Sequence, residues 1–393
     1  MKATVLRSMA GALANLVLAT ASAVQAQTPI KIGVVVPLSG PQAEYGAQIT
    51  GGMKVYMKEM GDVVAGRKIE LVTRDSGSPP SPDVAKRIAT ELITRDKVEL
   101  LAGFGFTPDA LSVAAIATEA KVPMVVMNAA TSVITTRSPY IIRTSMTLPQ
   151  VTAPIAQWAL KNGIKKAFSL VSDYGPGIDS EGQFKKTFTA GGGQVIGEAR
   201  VPLQNPEFAP FTQRIKDTKP DAVFLFLPSG AQPTAFFKSF VERGLAQAGI
   251  KLIGTGDITD DTVLNSMGDS AIGLITTHHY SQAHDSAKNK AYVKTYAEVN
   301  GNAMRPNFMS VGGYDGMAAI YEMIKKGGGK IDGPKSVDAV KGLKLDSPRG
   351  PIMIDPDTRD IVQTVYVRRV QKIGKELYNI EFDKFDNVKD PGK

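Results

Sequence analysis

Small, hydroxyl-bearing and aromatic residues recur where the apolar strands of this sequence end. The run "VVPLSGPQAEYG" leaves a strand through Ser39 and reaches Tyr45 at a helix start. Later strand ends supply Phe104, Phe106 and Thr107, then Asn128, Ala129 and Thr131, then Tyr174, then Phe226 and Ser229, and finally Asp257. Ligands of open α/β domains bind beyond the carboxyl ends of the strands. Hydroxyls and helix N-terminal N–H groups there can hold a carboxylate, and aromatics can wall an apolar group.

Motifs for catalysis are missing from these turns. The first turn lacks the G-x-G-x-x-G of a dinucleotide site, and "GFGFTP" after the third strand has only G-x-G. The sequence contains no Walker A lysine motif and no G-x-S-x-G nucleophile turn. The sequence therefore favours a binding protein over an enzyme, and it predicts no cofactor.

Metal and thiol chemistry have equally little support. The chain has three histidines, His278, His279 and His284, and no cysteine. Adjacent histidines on a strand point to opposite faces, so the first two cannot readily share a metal ion. We expect surface or hinge-edge histidines and no metal site. Without cysteine, thiol catalysis, thiolate zinc sites, iron–sulfur clusters and disulfides are excluded.

Strands and helices alternate along the chain, twice over. "IKIGVVVPL" is a continuous apolar run, as expected for a parallel strand covered on both faces, and a helix over 42–60 follows it. Three more strands with helices between them complete a first set, and the pattern restarts at "KKAFSLVSD". Two long helices are predicted near Ala287–Asn300 and Phe308–Lys326. The pattern predicts an α/β protein with two doubly wound parallel-sheet lobes and a cleft between them.

Composition and the first residues bear on partners and location. The net charge of +8 is spread over mixed-sign helices such as "KRIATELITRDK", which argues against a nucleic-acid partner. Lys2 and Arg7 precede the small-residue apolar stretch Met9–Ala23, and Val24–Ala26 fits a cleavage site. Residues 1–26 are therefore predicted to be a cleavable signal peptide of an exported protein that begins at Gln27.

Several longer stretches together resemble one family. They are "IGVVVPLSGPQAEYG", "ELVTRDSGSPPSPDVAKRIATELITRDKVELLAGFG", "AKVPMVVMNAATS", "YIIRTS", "VSDYGPG" and "GYDGMAAIYEMIKKGG". The chain resembles periplasmic solute-binding proteins of ABC importers, in the leucine/isoleucine/valine-binding group with the type I binding-protein fold, over essentially all of Gln27 to about Val388. The resemblance implies a periplasmic monomer that delivers a small carboxylate-bearing solute to a membrane permease.

The family fold implies two lobes joined by three hinge crossings. We place these crossings near Thr144–Thr147, Thr276–His279 and Arg349–Ile354. The first lobe would comprise residues 27–147 and 278–350, and the second lobe residues 148–277 and 351–393.

The resemblance also implies roles for single residues. Thr107, with Ala129 and Thr131, would hold the carboxylate, and Tyr45 and Tyr174 would close over the ligand from opposite lobes. Asp257 lies near the family's acid that pairs with an α-ammonium, although it stands one position later than usual, in "GTGD". A branched-chain or other apolar amino acid is the expected ligand. An aromatic or aliphatic acid without an amine, or a sensory ligand-binding subunit, are the alternatives.

Overall fold

The structure of the chain, a computed structural model, describes residues 28–393. The predicted signal peptide therefore lies outside the described residues. Within residues 28–393, no helix combines the length and the apolar character needed to cross a membrane.

Strands and helices follow one another much as the apolar pattern predicts. The strands are β1 (Ile30–Val36), β2 (Val63–Val64), β3 (Arg67–Asp75), β4 (Leu100–Gly103), β5 (Met124–Val126), β6 (Ile141–Arg143), β7 (Lys166–Ser172), β8 (Gln194–Val201), β9 (Ala222–Phe226), β10 (Lys251–Thr255), β11 (Ile275–His278), β12 (Lys344–Ser347), β13 (Gly350–Ile354), β14 (Ile361–Ile373) and β15 (Glu376–Val388). The helices are α1 (Ala43–Met60), α2 (Pro82–Thr94), α3 (Thr107–Ala120), α4 (Leu148–Lys161), α5 (Gly175–Ala190), α6 (Ala209–Thr218), α7 (Ala231–Glu242), α8 (Ala287–Asn300), α9 (Phe308–Lys326) and α10 (Gly333–Ala339).

The first lobe is built on a six-stranded sheet in the order β2-β3-β1-β4-β5-β6. All neighbouring pairs are parallel except β2 with β3. The central strand β1 is buried along nearly its whole length, as a continuous apolar run requires when helices cover both faces. This arrangement confirms the predicted doubly wound α/β lobe.

The second lobe has a larger and mixed sheet. Strands β8, β7, β9, β10 and β11 are parallel neighbours in that order, and β14 continues the sheet antiparallel to β11. Strands β13 and β15 pair antiparallel with β14, and β12 pairs with β13. The parallel half is as predicted. The antiparallel half arises because the last part of the chain forms hairpins, one of which turns at Gly374 with a positive φ of 62°.

Helices late in the chain return to the first lobe. A Cβ on Gly52 of α1 would lie 1.7 Å from the carbonyl oxygen of Ser310, so α1 and α9 pack with their backbones in contact. Helix α4, by contrast, packs on α5 and on strands of the second sheet. The chain thus passes between the lobes after β6 and after β11. The lobe boundaries at residues 147, 278 and 350 remain predictions.

Candidate functional site

A closed pocket lies between the lobes, beyond the carboxyl ends of β4, β5, β7, β9 and β10. Its space, counted together with its opening to solvent, is about 340 Å³. Its lining consists of Tyr45, Gly105, Phe106, Thr107, Asn128, Ala129, Ala130, Met146, Leu148, Tyr174, Pro176, Phe226, Pro228, Asp257, Phe308 and Met309. Asp257 is the one ionisable residue of this lining apart from the two tyrosines, so the pocket contains a single acid among aromatic, apolar and uncharged polar residues.

The structure brings most of the predicted site residues to this pocket. They are Tyr45, Phe106, Thr107, Asn128, Ala129, Tyr174, Phe226 and Asp257. Thr131 and Ser229 lie immediately behind the wall, where the Thr131 hydroxyl meets that of Thr107 and the Ser229 carbonyl meets Tyr45.

Two predicted site residues lie away from the pocket. Ser39 is exposed, since the turn after β1 faces solvent and its neighbour Leu38 donates its N–H to Asp75 Oδ1 at 2.7 Å. Phe104 is fully buried in the core of the first lobe. Its positive φ of 65° turns the chain so that the next residues, rather than Phe104, line the cleft.

A group of hydroxyl and amide side chains forms the polar end of the first lobe. Thr107 Oγ1 and Thr131 Oγ1 are 3.0 Å apart and buried. Asn128 donates its Nδ2 to the carbonyl of Gly105 at 2.8 Å, while its buried Oδ1 has no hydrogen-bond partner among the described residues. Buried polar atoms are normally paired, so this end of the pocket still has hydrogen-bonding capacity for a ligand.

Arg143 supports this polar end from behind. Its guanidinium donates to the carbonyl oxygens of Ala129 at 3.2 Å and Thr131 at 2.9 Å, and its Nε lies 3.0 Å from Asp360 Oδ1. Both side chains of this ion pair are almost fully buried. Arg143 therefore positions the segment that carries Ala129 and Thr131 without itself lining the pocket.

Aromatic side chains form facing walls from the two lobes. In the first lobe Tyr45 stacks on Phe106, with ring centroids 5.3 Å apart. In the second lobe Tyr174 stacks on Phe226, with centroids 6.2 Å apart. Phe308, the first residue of α9, adds a fifth ring. Such walls favour a flat apolar group between them.

Four helices begin at the pocket, but their first turns differ. Thr147 and Asn307 cap α4 and α9 by accepting backbone N–H groups with their side chains. The residues that precede α3 and α5 are Phe106 and Tyr174, whose side chains cap nothing. The first N–H groups of α3 and α5 therefore lack a side-chain acceptor, and the positive ends of these helices favour an anion in the pocket.

Asp257 faces the pocket from the second lobe. Its Oδ2 accepts a hydrogen bond from Thr255 Oγ1 at 2.7 Å and lies 3.6 Å from His278 Nε2. His278 is fully buried, and this burial lowers the pKa of its imidazole, although Asp257 acts in the opposite direction. The imidazole is therefore neutral at pH 7.

His278 and His279 are buried, so a surface position is wrong for these two, while the hinge-edge position that we expected as the alternative remains a prediction; His284 is partly buried. The rings of His278 and His279 stack with centroids 4.5 Å apart, and Phe308 packs edge-on against His278. His278 ends β11 and His279 follows it, and β11 lies between β10 and β14, inside the sheet, which explains the burial. In residues 28–393, no three His, Asp or Glu side chains form a group suited to a metal ion.

Contacts across the cleft show that the lobes are closed. The hydroxyl of Tyr45 donates to the Ser229 carbonyl at 3.0 Å, and the N–H of Ser132 donates to Asp179 Oδ2 at 2.9 Å. A Cβ on Gly175 would lie only 2.8 Å from Thr131 Oγ1. These contacts join α1 and the turn after β5 to the second lobe.

Comparison with known proteins agrees with this geometry. The model of the family described as "Periplasmic binding protein" matches residues 29–375. The chain belongs to this family. The expected type I fold is confirmed, and so is the expectation that the protein binds a solute rather than catalysing a reaction.

Several relatives cover almost the whole chain. "Leu/Ile/Val-binding protein homolog 6" of Brucella melitensis is 47% identical over 92% of this chain and 93% of its own length. A solute-binding protein of an ABC transporter from Rhodopseudomonas palustris BisB5, solved in complex with 3,4-dihydroxybenzoic acid, is 56% identical, with a TM-score of 0.89 and coverage of 93% and 99%. A second one from R. palustris, in complex with 4-hydroxybenzoate, is 46% identical, with a TM-score of 0.90 and the same coverage. The protein is thus a solute-binding protein of an ABC transporter.

Other pocket residues were missed by the sequence patterns. They are Gly105, Ala130 and Pro228 beside predicted residues, Met146 and Leu148 at the first crossing between the lobes, Pro176 in α5, and Phe308 and Met309 at the start of α9. The helical period locates the start of α9 correctly. It does not show that this end points into the cleft, because that depends on how α9 packs against α1.

Proposed function

We propose that this protein binds a monocyclic aromatic carboxylate of the hydroxybenzoate type and presents it to the permease of an ABC importer. The observation that carries this proposal is the pair of facing aromatic walls, Tyr45 with Phe106 and Tyr174 with Phe226. A planar ring fits between such walls, whereas a branched aliphatic side chain leaves part of each wall uncovered.

The two ends of the pocket suit the two ends of a hydroxybenzoate. The Thr107 hydroxyl, which Thr131 supports from behind, and the uncapped first turns of α3 and α5 supply donors for the carboxylate. Asp257, on the opposite lobe, supplies an acceptor for a ring hydroxyl. The acid thus has a role that requires no amine on the ligand.

The solved relatives support this ligand class. Two of them, at 56% and 46% identity over nearly the whole chain, hold a dihydroxybenzoate and a hydroxybenzoate. This favours the alternative that the sequence left open, an aromatic acid without an amine, over the amino acid that it placed first.

Release to the permease would follow from opening of the lobes. We propose hinges at Thr144–Thr147, Thr276–His279 and Arg349–Ile354, so that residues 27–147 and 278–350 move against residues 148–277 and 351–393. Arg349 supports this assignment, since it donates to the Ser145 carbonyl at 3.1 Å and pairs with Asp315 of α9 at 2.8 Å. It thereby connects two of the three hinge segments.

Export to the periplasm by the predicted signal peptide would bring the protein to the compartment from which such an importer collects its solute.

An apolar amino acid is the second candidate, and Asp257 is the observation that favours it. A buried carboxylate in the same pocket as a carboxylate-binding group can also pair with an α-ammonium group. The name of the Brucella relative points the same way.

A ligand panel separates the two candidates. The protein would be unfolded, freed of any co-purified solute, refolded, and titrated with 4-hydroxybenzoate, benzoate, leucine and an aliphatic acid in a calorimeter. We expect 4-hydroxybenzoate to bind most tightly, and at 100 times its Kd to stabilise the protein by about 2.7 kcal/mol. Binding of leucine without binding of either aromatic acid would overturn the proposal. Ser39→Ala is the control variant, since Ser39 is exposed and outside the pocket.

Asp257→Asn tests how the acid is used. If Asp257 accepts the ring hydroxyl, the substitution weakens 4-hydroxybenzoate by about tenfold, because a bond to a charged acceptor is lost, and leaves benzoate nearly unchanged. If Asp257 pairs with an ammonium, the substitution removes leucine binding and affects neither aromatic acid. The ratio of the affinities for 4-hydroxybenzoate and for benzoate therefore distinguishes between these two roles of Asp257.

A further inference from the structure

A second cavity lies at the outer edge of the cleft, next to the pocket. Its space, counted together with its opening to solvent, is about 920 Å³, compared with about 340 Å³ for the pocket counted in the same way. Both lobes contribute to its wall, with Pro41, Pro79 and Pro80 on one side and Leu203, Phe208 and Ala235 on the other. We refer to this cavity as the outer groove.

Phe106 is the one residue that lines both the outer groove and the pocket. Its side chain is 3% exposed and stacks on Tyr45. The ring is therefore held in place by Tyr45 between the two spaces. Removing the ring would join them.

The chemistry of the outer groove limits what could enter it. Its lining contains no ionisable side chain and consists of apolar residues and amides. Gln232 donates its Nε2 to the Leu203 carbonyl at 2.6 Å, while its buried Oε1 has no partner in the described part of the chain. The groove thus suits an uncharged, partly apolar extension that can offer one hydrogen-bond donor.

We propose that Phe106 sets the length of the aromatic acid that the protein accepts. This inference rests on the proposed function. With Phe106 in place, the pocket closes around a benzoate-sized acid and excludes longer ones. Without the ring, a longer aryl carboxylate extends into the outer groove. A hydroxycinnamate is the simplest such ligand, because it keeps the ring, hydroxyl and carboxylate of a hydroxybenzoate and adds a two-carbon spacer.

The test compares 4-hydroxybenzoate with 4-hydroxycinnamate by calorimetry on refolded, ligand-free protein. In Phe106→Ala, the Kd for 4-hydroxycinnamate relative to that for 4-hydroxybenzoate should fall by about tenfold or more, equivalent to about 1.4 kcal/mol. Phe226→Ala is the matched control, since Phe226 lines the pocket but not the outer groove. An unchanged ratio in Phe106→Ala, or an equal fall in Phe226→Ala, would overturn the proposal. Phe106→Leu provides a milder variant should the alanine variant fold poorly, and its ratio should shift in the same direction.

A second substitution tests whether the longer acid occupies the outer groove. Ala235 is exposed on α7 and lines only the groove, so Ala235→Trp should fill this space without affecting 4-hydroxybenzoate. In the Phe106→Ala background it should abolish the gain in 4-hydroxycinnamate binding. Persistence of that gain would show that the acid does not enter the groove and would reject the inference. A wild-type protein that binds neither acid would instead reject the proposed function, and this inference with it.

Discussion

The hydroxyl of Tyr45, on the first lobe, donates a hydrogen bond to the carbonyl oxygen of Ser229, on the second lobe, at 3.0 Å. Burial, with Tyr174 and Asp257 nearby, raises the pKa of this hydroxyl well above its usual range, so the donor keeps its proton. The same ring stacks on Phe106 and lines the pocket. Tyr45 therefore belongs both to the wall of the pocket and to a contact that joins the closed lobes.

Tyr45→Phe should weaken ligand binding while preserving the ring. The variant loses the bond that joins the closed lobes, and we expect a loss of affinity of about 1 kcal/mol, or roughly fivefold. Calorimetry with 4-hydroxybenzoate measures this. Tyr321→Phe is the matched control, because Tyr321 donates to the Gly61 carbonyl at 2.7 Å within the first lobe alone. An equal loss in both variants would show that the Tyr45 bond has no special part in closure.

Gly175→Ala should obstruct closure. The added Cβ would lie 2.8 Å from Thr131 Oγ1 and 3.3 Å from Thr107 Cγ2, both on the opposite lobe. We expect affinity to fall about tenfold or more, with no loss of melting temperature in the ligand-free protein, since alanine favours a helix over glycine. Small-angle scattering should show no ligand-induced compaction.

Gly182→Ala is the control for this prediction. It makes the same change in the same helix, at an exposed position where a Cβ meets nothing within 4 Å. Its affinity should match that of the wild type. A Gly175→Ala variant that binds and compacts normally would show that the lobes close with more room than the structure shows.

The sequence predicts the elements well where one local signal decides them. Helix α9 runs from Phe308 to Lys326 as predicted, because its apolar period continues to the glycines that end it. The strand-end residues Thr107, Tyr174 and Asp257 also reach one pocket, since parallel strands end at one edge of each sheet.

The sequence-based predictions that are wrong concern residues whose position depends on the tertiary arrangement. Phe104 follows its strand just as Phe106 does, but a positive φ at Phe104 sends its side chain into the core. His278 and His279 look polar in "TTHH", yet β11, which ends at His278, is interior to the sheet once β14 pairs with it. Neither the backbone twist nor the strand order can be read from local composition.

Asp109→Asn should change how stability depends on pH. Burial raises the pKa of Asp109 to about 6, against opposing contributions from Ser76 and the backbone of Ser81. A carboxyl whose pKa is raised on folding binds more protons in the native state, so its contribution to stability falls as pH rises from about 4 to 6. The variant has no carboxyl at this position, so its stability does not fall in this way. Its free energy of unfolding, relative to that of the wild type, should therefore rise by on the order of 2 kcal/mol between pH 4 and pH 7.

Urea titrations at several pH values measure this difference. Asp221→Asn is a control of opposite sign, because the Asp221 carboxylate accepts the N–H groups of Lys165 and Lys166, which lower its pKa. Its contribution is present above the unfolded pKa and lost as pH falls. The free energy of unfolding of the wild type, relative to that of Asp221→Asn, should therefore increase as pH rises. Parallel pH profiles for wild type and Asp109→Asn would contradict the prediction.

Arg143→Met should destabilise the protein strongly. It removes the guanidinium from the buried carboxylate of Asp360, which keeps Lys393 as a cationic partner, and it frees the carbonyls of Ala129 and Thr131, so we expect a loss of about 3 kcal/mol in the free energy of unfolding. The double variant Arg143→Met/Asp360→Asn should recover part of this loss, because position 360 then carries no buried carboxylate that lacks the Arg143 guanidinium. Arg95→Met is the control, since Arg95 pairs with Asp96 at the surface and should not move the urea midpoint. If the double variant is as unstable as the sum of the single variants, the two residues do not act as a pair, and the segment with Ala129 and Thr131 is held by other contacts.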